Sequence, residues 1–140
     1  MQIPSIRLAA GILAGAALLA ACSSSGSPAT VSATSVGSQG TLVVASNGMT
    51  VYQFSHDVAN SGTSACTDKC LATWPAVTVP AGSTPTAGTG ATGTLGTITR
   101  PDTSGALQVT YNGLPIYYFS GDSAVGDTNG VYTNWSAVKP

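Results

Sequence analysis

Leu42-Val43-Val44-Ala45-Ser46-Asn47-Gly48-Met49-Thr50-Val51-Tyr52-Gln53-Phe54-Ser55-His56-Asp57 aligns without a gap on Leu107-Gln108-Val109-Thr110-Tyr111-Asn112-Gly113-Leu114-Pro115-Ile116-Tyr117-Tyr118-Phe119-Ser120-Gly121-Asp122, 65 residues further along the chain. Eight of the sixteen positions are identical, and Trp74-Pro75-Ala76-Val77 is echoed by Trp135-Ser136-Ala137-Val138. Self-similarity of this kind marks a duplicated unit. Each copy reads as strand, Asn-Gly, strand. Asn-Gly between apolar runs is the strongest short hairpin signal, because both residues tolerate positive φ. Side chains alternate across a strand, so Val51, Gln53 and Ser55 share one side, and Tyr52 and Phe54 the other. The aromatic side is expected to face the core, as is that of Tyr117 and Phe119. Asp57 and Asp122 follow three residues after Phe54 and Phe119 and end the strands, where a carboxylate accepts backbone N–H groups.

Working outward, Thr67-Asp68-Lys69-Cys70-Leu71-Ala72 fits one or two helical turns capped by Thr67. Pro80 to Gly93 is rich in Gly, Thr, Pro and Ala with no apolar period, and is expected to be a mobile surface loop. Leu95–Thr99 and Ala106–Tyr111 flank a Pro-Asp-Thr-Ser-Gly turn and should pair. Strands near Ala76–Val79 and Val131–Val138 bring the expectation to seven or eight short strands. The fold class that follows is all-β: a small antiparallel sandwich or barrel-like domain over 40–140. It is made of two related hairpin units, about 41–79 and 106–138, with one short helical turn near Cys66-x-x-x-Cys70.

The start of the chain carries a different signal. Met1 to Arg7 is a short segment with one positive charge, Leu8 to Leu19 is apolar, and Leu19-Ala20-Ala21-Cys22 closes it. Those are the parts of an export signal in order. The apolar run is too short for a bilayer core, which needs about 20 residues. The junction resembles the lipobox of bacterial lipoproteins. That resemblance implies cleavage after residue 21, acylation of Cys22, and anchoring to the cell membrane or the outer membrane. Two acyl chains hold a protein stably where one holds it only marginally. Residues 22–39 are then expected to be the lipidated N-terminus and a flexible Ser/Ala/Gly/Thr tether.

Beyond the leader the chain has only Lys69, Arg100 and Lys139 as fixed cations, against five Asp and no Glu. With no basic stripe, nucleic acid is not an expected partner. Few residues suit long exposed helices, whereas Thr, Val, Ser, Gly and Tyr favour strands and turns.

The repeated Tyr-x-Phe-x-x-Asp, with Cys66-x-x-x-Cys70 and Trp74-Pro75 after the first copy, resembles a family of bacterial secreted and lipoprotein repeats defined by a Tyr-x-(Phe/Trp/Tyr)-x-x-Asp motif. Tyr52, Phe54, Asp57, Tyr117, Phe119 and Asp122 carry the likeness, which runs from about Thr41 to Val138. The second unit departs from it in lacking the cysteine pair and in having Ser136 where Pro75 stands. The resemblance implies an envelope location and no established activity, and it transfers no catalytic residue.

Three sets of residues remain as candidates for chemistry. Cys66 and Cys70 fit a structural disulfide in an oxidising compartment. With His56 they also form the alternative of a copper or thiol-redox site, since soft thiolates and an imidazole suit copper. A thioredoxin-type arrangement would need a βαβ pattern, which is missing here. Asp57 and Asp122, at equivalent repeat positions, are candidates for an acid/base or calcium pair, with strand-end capping the simpler reading. The aromatics, Trp74 and Trp135 among them, are either core or an exposed strip for stacking on envelope sugars, with one of Tyr117 and Tyr118 outward. The sequence contains no Gly-x-Ser-x-Gly, phosphate loop, haem Cys-x-x-Cys-His or paired-His motif. The expectation is a non-enzymatic binding or scaffolding module without a cofactor, meeting an envelope protein or glycan.

Overall fold

A computed structural model describes residues 27–140. The expected signal peptide, Cys22 and the first residues of the tether lie outside that range. Among these residues eight short strands, a 3-10 turn and one α-helical turn follow one another: β1 Val31–Ser35, the 3-10 turn Gly37–Gln39, β2 Thr41–Ala45, β3 Tyr52–Phe54, α1 Lys69–Thr73, β4 Thr78–Val79, β5 Leu95–Thr99, β6 Leu107–Tyr111, β7 Leu114–Pro115 and β8 Trp135–Ala137. All strand pairs are antiparallel. β1 pairs with β2, β3 with β8, and β6 lies between β5 on one edge and β4 and β7 on the other. The architecture is the all-β arrangement of small antiparallel sheets expected from the repeat. No sheet closes into a barrel, and a sandwich describes it.

The two units meet through their duplicated strands. Tyr52 N–H donates to the Tyr117 carbonyl at 2.8 Å, and Tyr117 N–H donates to the Tyr52 carbonyl at 3.0 Å. Equivalent residues of the two copies thus form one reciprocal pair, the pattern of an antiparallel ladder. Alternation on either side of this junction builds two cores rather than one. Val51 and Ile116 point into an aliphatic cluster with Val31, Val43, Val77, Val109 and Val138. Tyr52 and Tyr117 point into an aromatic cluster with Cys66, Trp74 and Trp135. Phe54 and Phe119 are only partly buried against that second cluster.

The two Asn-Gly turns differ in geometry. At Asn112-Gly113 both φ angles are positive, 52° and 81°, and Tyr111 faces Leu114. This is a two-residue type I′ turn. In the first unit only Gly48 has positive φ, at 80°. There Ala45 N–H donates to the Met49 carbonyl at 2.9 Å, and Gly48 N–H donates to the Ala45 carbonyl at 2.8 Å. The loop therefore holds three residues, which shifts the register by one. A one-residue shift exchanges strand faces. β2 accordingly gives Val43 and Ala45 to the aliphatic core, while β6 gives Val109 and Tyr111, although the gapless alignment matches Val44 with Val109.

Three expectations need correction. The segment expected to be tether as far as residue 39 is ordered from Thr30 onward. Val31 is fully buried and β1 runs in register from Val31↔Ala45 to Ser35↔Thr41, because a strand ending in a core valine gains more from burial than it loses in chain entropy. The segment 80–93 is not free either. Thr30 N–H donates to Thr86 O at 2.9 Å, Gly88 N–H to Val31 O at 2.7 Å and Ala33 N–H to Thr89 O at 2.8 Å. Small residues allow this approach: a Cβ on Gly88 would lie 2.9 Å from that of Ala29. Finally, α1 starts at Lys69, and no side chain caps it; Asp68 precedes it with φ of 51°.

Candidate functional site

Chain reversal after Phe54 and Phe119 sends each Asp back toward the other unit. Tyr52 Oη donates to Asp122 Oδ2 at 2.6 Å, and Tyr117 Oη donates to Asp57 Oδ2 at 2.7 Å. The tyrosine of each copy thus binds the aspartate of the other. The remaining carboxylate oxygens hold loops: Asp57 Oδ1 accepts Ala65 N–H at 2.6 Å, and Asp122 Oδ1 accepts Asn129 N–H at 2.9 Å. These are capping roles, reaching further along the chain than a local turn. Burial, followed by the hydrogen bond to Asp122, pushes the Tyr52 phenol well above its ordinary range. Burial also raises that of Tyr117, where the Asp57 carboxylate adds to the rise and the Ser64 hydroxyl opposes it. Both phenols are locked as neutral donors.

The aromatic side chains of the two units interleave. Trp74 and Trp135 stack with ring centroids 3.7 Å apart and planes 3° from parallel. Phe54 covers the other face of Trp135 at 4.4 Å, and Phe119 lies over Trp74 at 4.5 Å. The order Phe54, Trp135, Trp74, Phe119 alternates first unit, second unit, first, second. His56 continues the column, its ring 4.8 Å from Phe54. Both indole faces are therefore occupied by protein, and neither is free to stack on a sugar ring. Tyr117 is fully buried and Tyr118 packs against the aliphatic core, so neither is the outward aromatic expected. That residue is Tyr132, 58% exposed, set edge-on to Trp74 and Phe119.

Beside the column lies a groove of about 490 Å³ lined by Thr73, Trp74, Phe119, Tyr132, Thr133, Asn134 and Trp135. Its lining mixes apolar ring edges with hydroxyl and amide groups and carries no charge. Residues 131–134 just ahead of β8 form one wall, turned back by the reciprocal backbone bonds of Tyr132 with Trp135 at 3.0 and 3.1 Å.

Behind the cysteines lies a buried polar network that the sequence reading did not single out. Arg100 is 5% exposed and Gln108 fully buried. Arg100 grips Asp102 through Nε at 2.8 Å and Nη2 at 2.7 Å. It also donates from Nη1 to Gln108 Oε1 at 3.0 Å and from Nη2 to the Cys66 carbonyl at 2.7 Å. Gln108 in turn donates to the Ile116 carbonyl at 3.0 Å. The Asp102 hydrogen bonds raise the Arg100 guanidinium further, and the same contacts lower the Asp102 carboxyl. One sequence signal points here: Arg100 is a lone cation between the repeats with an acid two residues on.

Cys66 and Cys70 form a disulfide with Cα atoms 5.2 Å apart, and Cys66 is fully buried. Joined to each other, the two sulfurs are not thiolates. Among the described residues no group of three or more His, Cys, Asp or Glu converges as a metal site; His56 packs on Phe54 instead. Asp57 and Asp122 do not meet as a pair, each being taken up by a tyrosine of the other unit. Asp127 accepts N–H from Ser123 and Ala124 at 2.8 and 2.9 Å, which lowers its carboxyl and closes the loop.

The chain belongs to the Lipoprotein_15 family, a secreted repeat of unknown function, whose model matches twice, over residues 33–78 and 96–139. Each match covers one of the two expected hairpin units but starts earlier in the chain, within β1 and within β5. No curated protein and no solved structure matches the chain.

Proposed function

We propose that this exported protein is a non-enzymatic binding module of the cell envelope, anchored through acylated Cys22, whose ligand seats in the groove at the junction of the two units. The observation that carries the reading is the groove itself. Its volume falls within the range of about 300–1,000 Å³ seen for small-ligand sites. Its lining combines apolar aromatic edges with a few uncharged polar groups, and Tyr132 stands exposed at its wall. Such a lining favours an uncharged ligand, such as an envelope glycan or an uncharged peptide segment of an envelope protein. Tyr52, Tyr117, Asp57, Asp122 and Arg100 are spent on holding the units together.

Trp74 and Trp135, the only tryptophans of the chain, both line the groove, so their emission reports its occupancy. The mature protein is titrated with soluble peptidoglycan fragments and the tryptophan emission followed. A saturable change that Tyr132→Ala weakens at least tenfold supports the reading. An emission that stays constant, with the same result in the variant, removes glycan as the ligand of this groove.

A further inference from the structure

We infer that the end of the domain formed by the Ser46–Met49 turn and Val125 rests on the lipid surface to which Cys22 is anchored, with the aromatic groove presented away from it. The inference rests on the anchoring proposed above and adds an orientation to it.

Chain length is the first argument. The folded part begins at Thr30, whose carbonyl accepts Ser46 N–H at 3.1 Å and whose N–H donates to Thr86 O at 2.9 Å. Only seven residues, Ser23 to Ala29, separate Cys22 from it. Fully extended, they span at most about 25 Å, less than the width of a small domain. A linkage this short keeps the end of the domain nearest Thr30 at high effective concentration against the membrane.

The chemistry of that end is the second argument. Thr30 adjoins the Ser46-Asn47-Gly48 turn, and the Val125 methyls stand against Gly48, 3.0 Å from where a Cβ would lie. Val125 is 69% exposed, the highest value among the large apolar side chains left at the surface. The loop that carries it is closed by Asp127, whose Oδ2 accepts Ser123 and Ala124 N–H groups, while Thr50 Oγ1 ties it to the turn through the Asp127 carbonyl at 2.7 Å. Among the described residues no cation is found there: Lys69 lies on α1, Arg100 is buried, and Lys139 Nζ reaches the Gln39 carbonyl beyond the far end of β1. The charged group nearest Val125 is the Asp127 carboxylate, two residues on, so the surface fits a zwitterionic headgroup boundary and is not drawn to anionic lipid.

Trp135 of the groove pairs with Phe54, which is six residues beyond Gly48 along the chain, a separation of at most about 20 Å at 3.3 Å per residue.

The experiment uses the full-length lipoprotein reconstituted in phosphatidylcholine vesicles, with the N-terminal mass measured first. Val125→Cys and Tyr132→Cys are each labelled with an environment-sensitive fluorophore, and nitroxide headgroup lipids serve as quencher. Quenching at position 125 is expected to exceed that at 132 at least threefold, and not to rise when phosphatidylglycerol is added. With Cys22 acylated, equal quenching at the two positions, or stronger quenching at 132, overturns the orientation and leaves the anchoring intact. An N-terminal mass without acyl chains overturns both.

Discussion

Tyr117 of the second unit donates its hydroxyl to Asp57 of the first at 2.7 Å, and Tyr52 of the first donates to Asp122 of the second at 2.6 Å. Neither motif is satisfied within its own copy. The duplicated Tyr-x-Phe-x-x-Asp therefore acts as a reciprocal clasp. Interleaved stacking of Phe54, Trp135, Trp74 and Phe119 shows the same exchange in apolar form. One unit alone would leave its tyrosine without its carboxylate, its aspartate with a single backbone donor, and both faces of its tryptophan uncovered.

The two halves of the clasp should differ in strength. Asp57 is buried, at 9% exposed, whereas Asp122 is half-buried and can be rewetted. Tyr117→Phe leaves a buried carboxylate with a single N–H donor, Ala65. It should cost about 2–3 kcal/mol, the penalty for an unsatisfied charged group. Tyr52→Phe should cost about 1 kcal/mol. Denaturant midpoints at neutral pH measure both, and a larger loss for Tyr52→Phe would refute the ranking.

Alkaline pH should unfold the domain from the same place. The folded-state values of Tyr52 and Tyr117 lie above their unfolded value of about 10, because burial and a neighbouring carboxylate disfavour the phenolate. A raised value contributes stability that is complete below about pH 10 and is lost as pH rises beyond it. Unfolding and the appearance of the last tyrosinate absorbance should therefore coincide. If all five tyrosines ionise together near pH 10 while the circular dichroism stays native, the clasp is not what keeps them neutral.

Much of this arrangement was legible in the sequence, and the remainder was not, for definite reasons. Asn-Gly spacing and β-rich composition set out the hairpins, and the Cys66–Cys70 spacing suggested their bridge. The alignment of two identical motifs could not show that they satisfy each other, because contact between equivalent positions of two copies leaves no spacing signal. Nor could it show the register shift at Ala45–Met49: Asn47-Gly48 and Asn112-Gly113 are the same dipeptide, and flanking packing selects between a two-residue and a three-residue loop. β1 was missed because its residues, Val31 to Ser35, are small and polar apart from one valine. Its pairing to β2 and to the 86–89 segment is decided by tertiary contacts. Arg100 and Gln108 sit where pattern alone expects polar surface.

The Arg100 network should be costly to break on one side. Arg100→Ala leaves Gln108 Oε1 without a donor, the Cys66 carbonyl with only the Ser64 hydroxyl, and Asp102 without its partner. The expected loss is about 1–3 kcal/mol, the penalty for buried acceptors left short of a donor, since the Asp102 carboxylate lies near the surface and is rewetted. Arg100→Met combined with Asp102→Leu removes both charges and should recover part of it. The acid side follows by linkage: Asp102 is depressed by Arg100, so its contribution is present above the unfolded value of about 4 and disappears as pH falls through the lower folded one. Wild type should therefore lose stability in that acid window more steeply than the double variant. Parallel pH profiles for the two would count against this account.

The disulfide should be a modest staple. It closes a loop of five residues, Cys66 to Cys70, for which the chain-entropy relation gives about 2 kcal/mol. Cys70→Ser should lower stability by about that amount. Cys66→Ser should cost more, since it places a hydroxyl at a fully buried position against Trp74, Trp135 and the two clasp tyrosines. The reduced wild-type chain tests the alternative use of these sulfurs. Native mass spectrometry of the reduced wild-type chain with added copper should show no tightly held ion, because His56 stacks on Phe54 and reduction by itself brings no third ligand to the thiolates. One retained copper that His56→Ala abolishes would overturn this and make the bridge the resting form of a metal site.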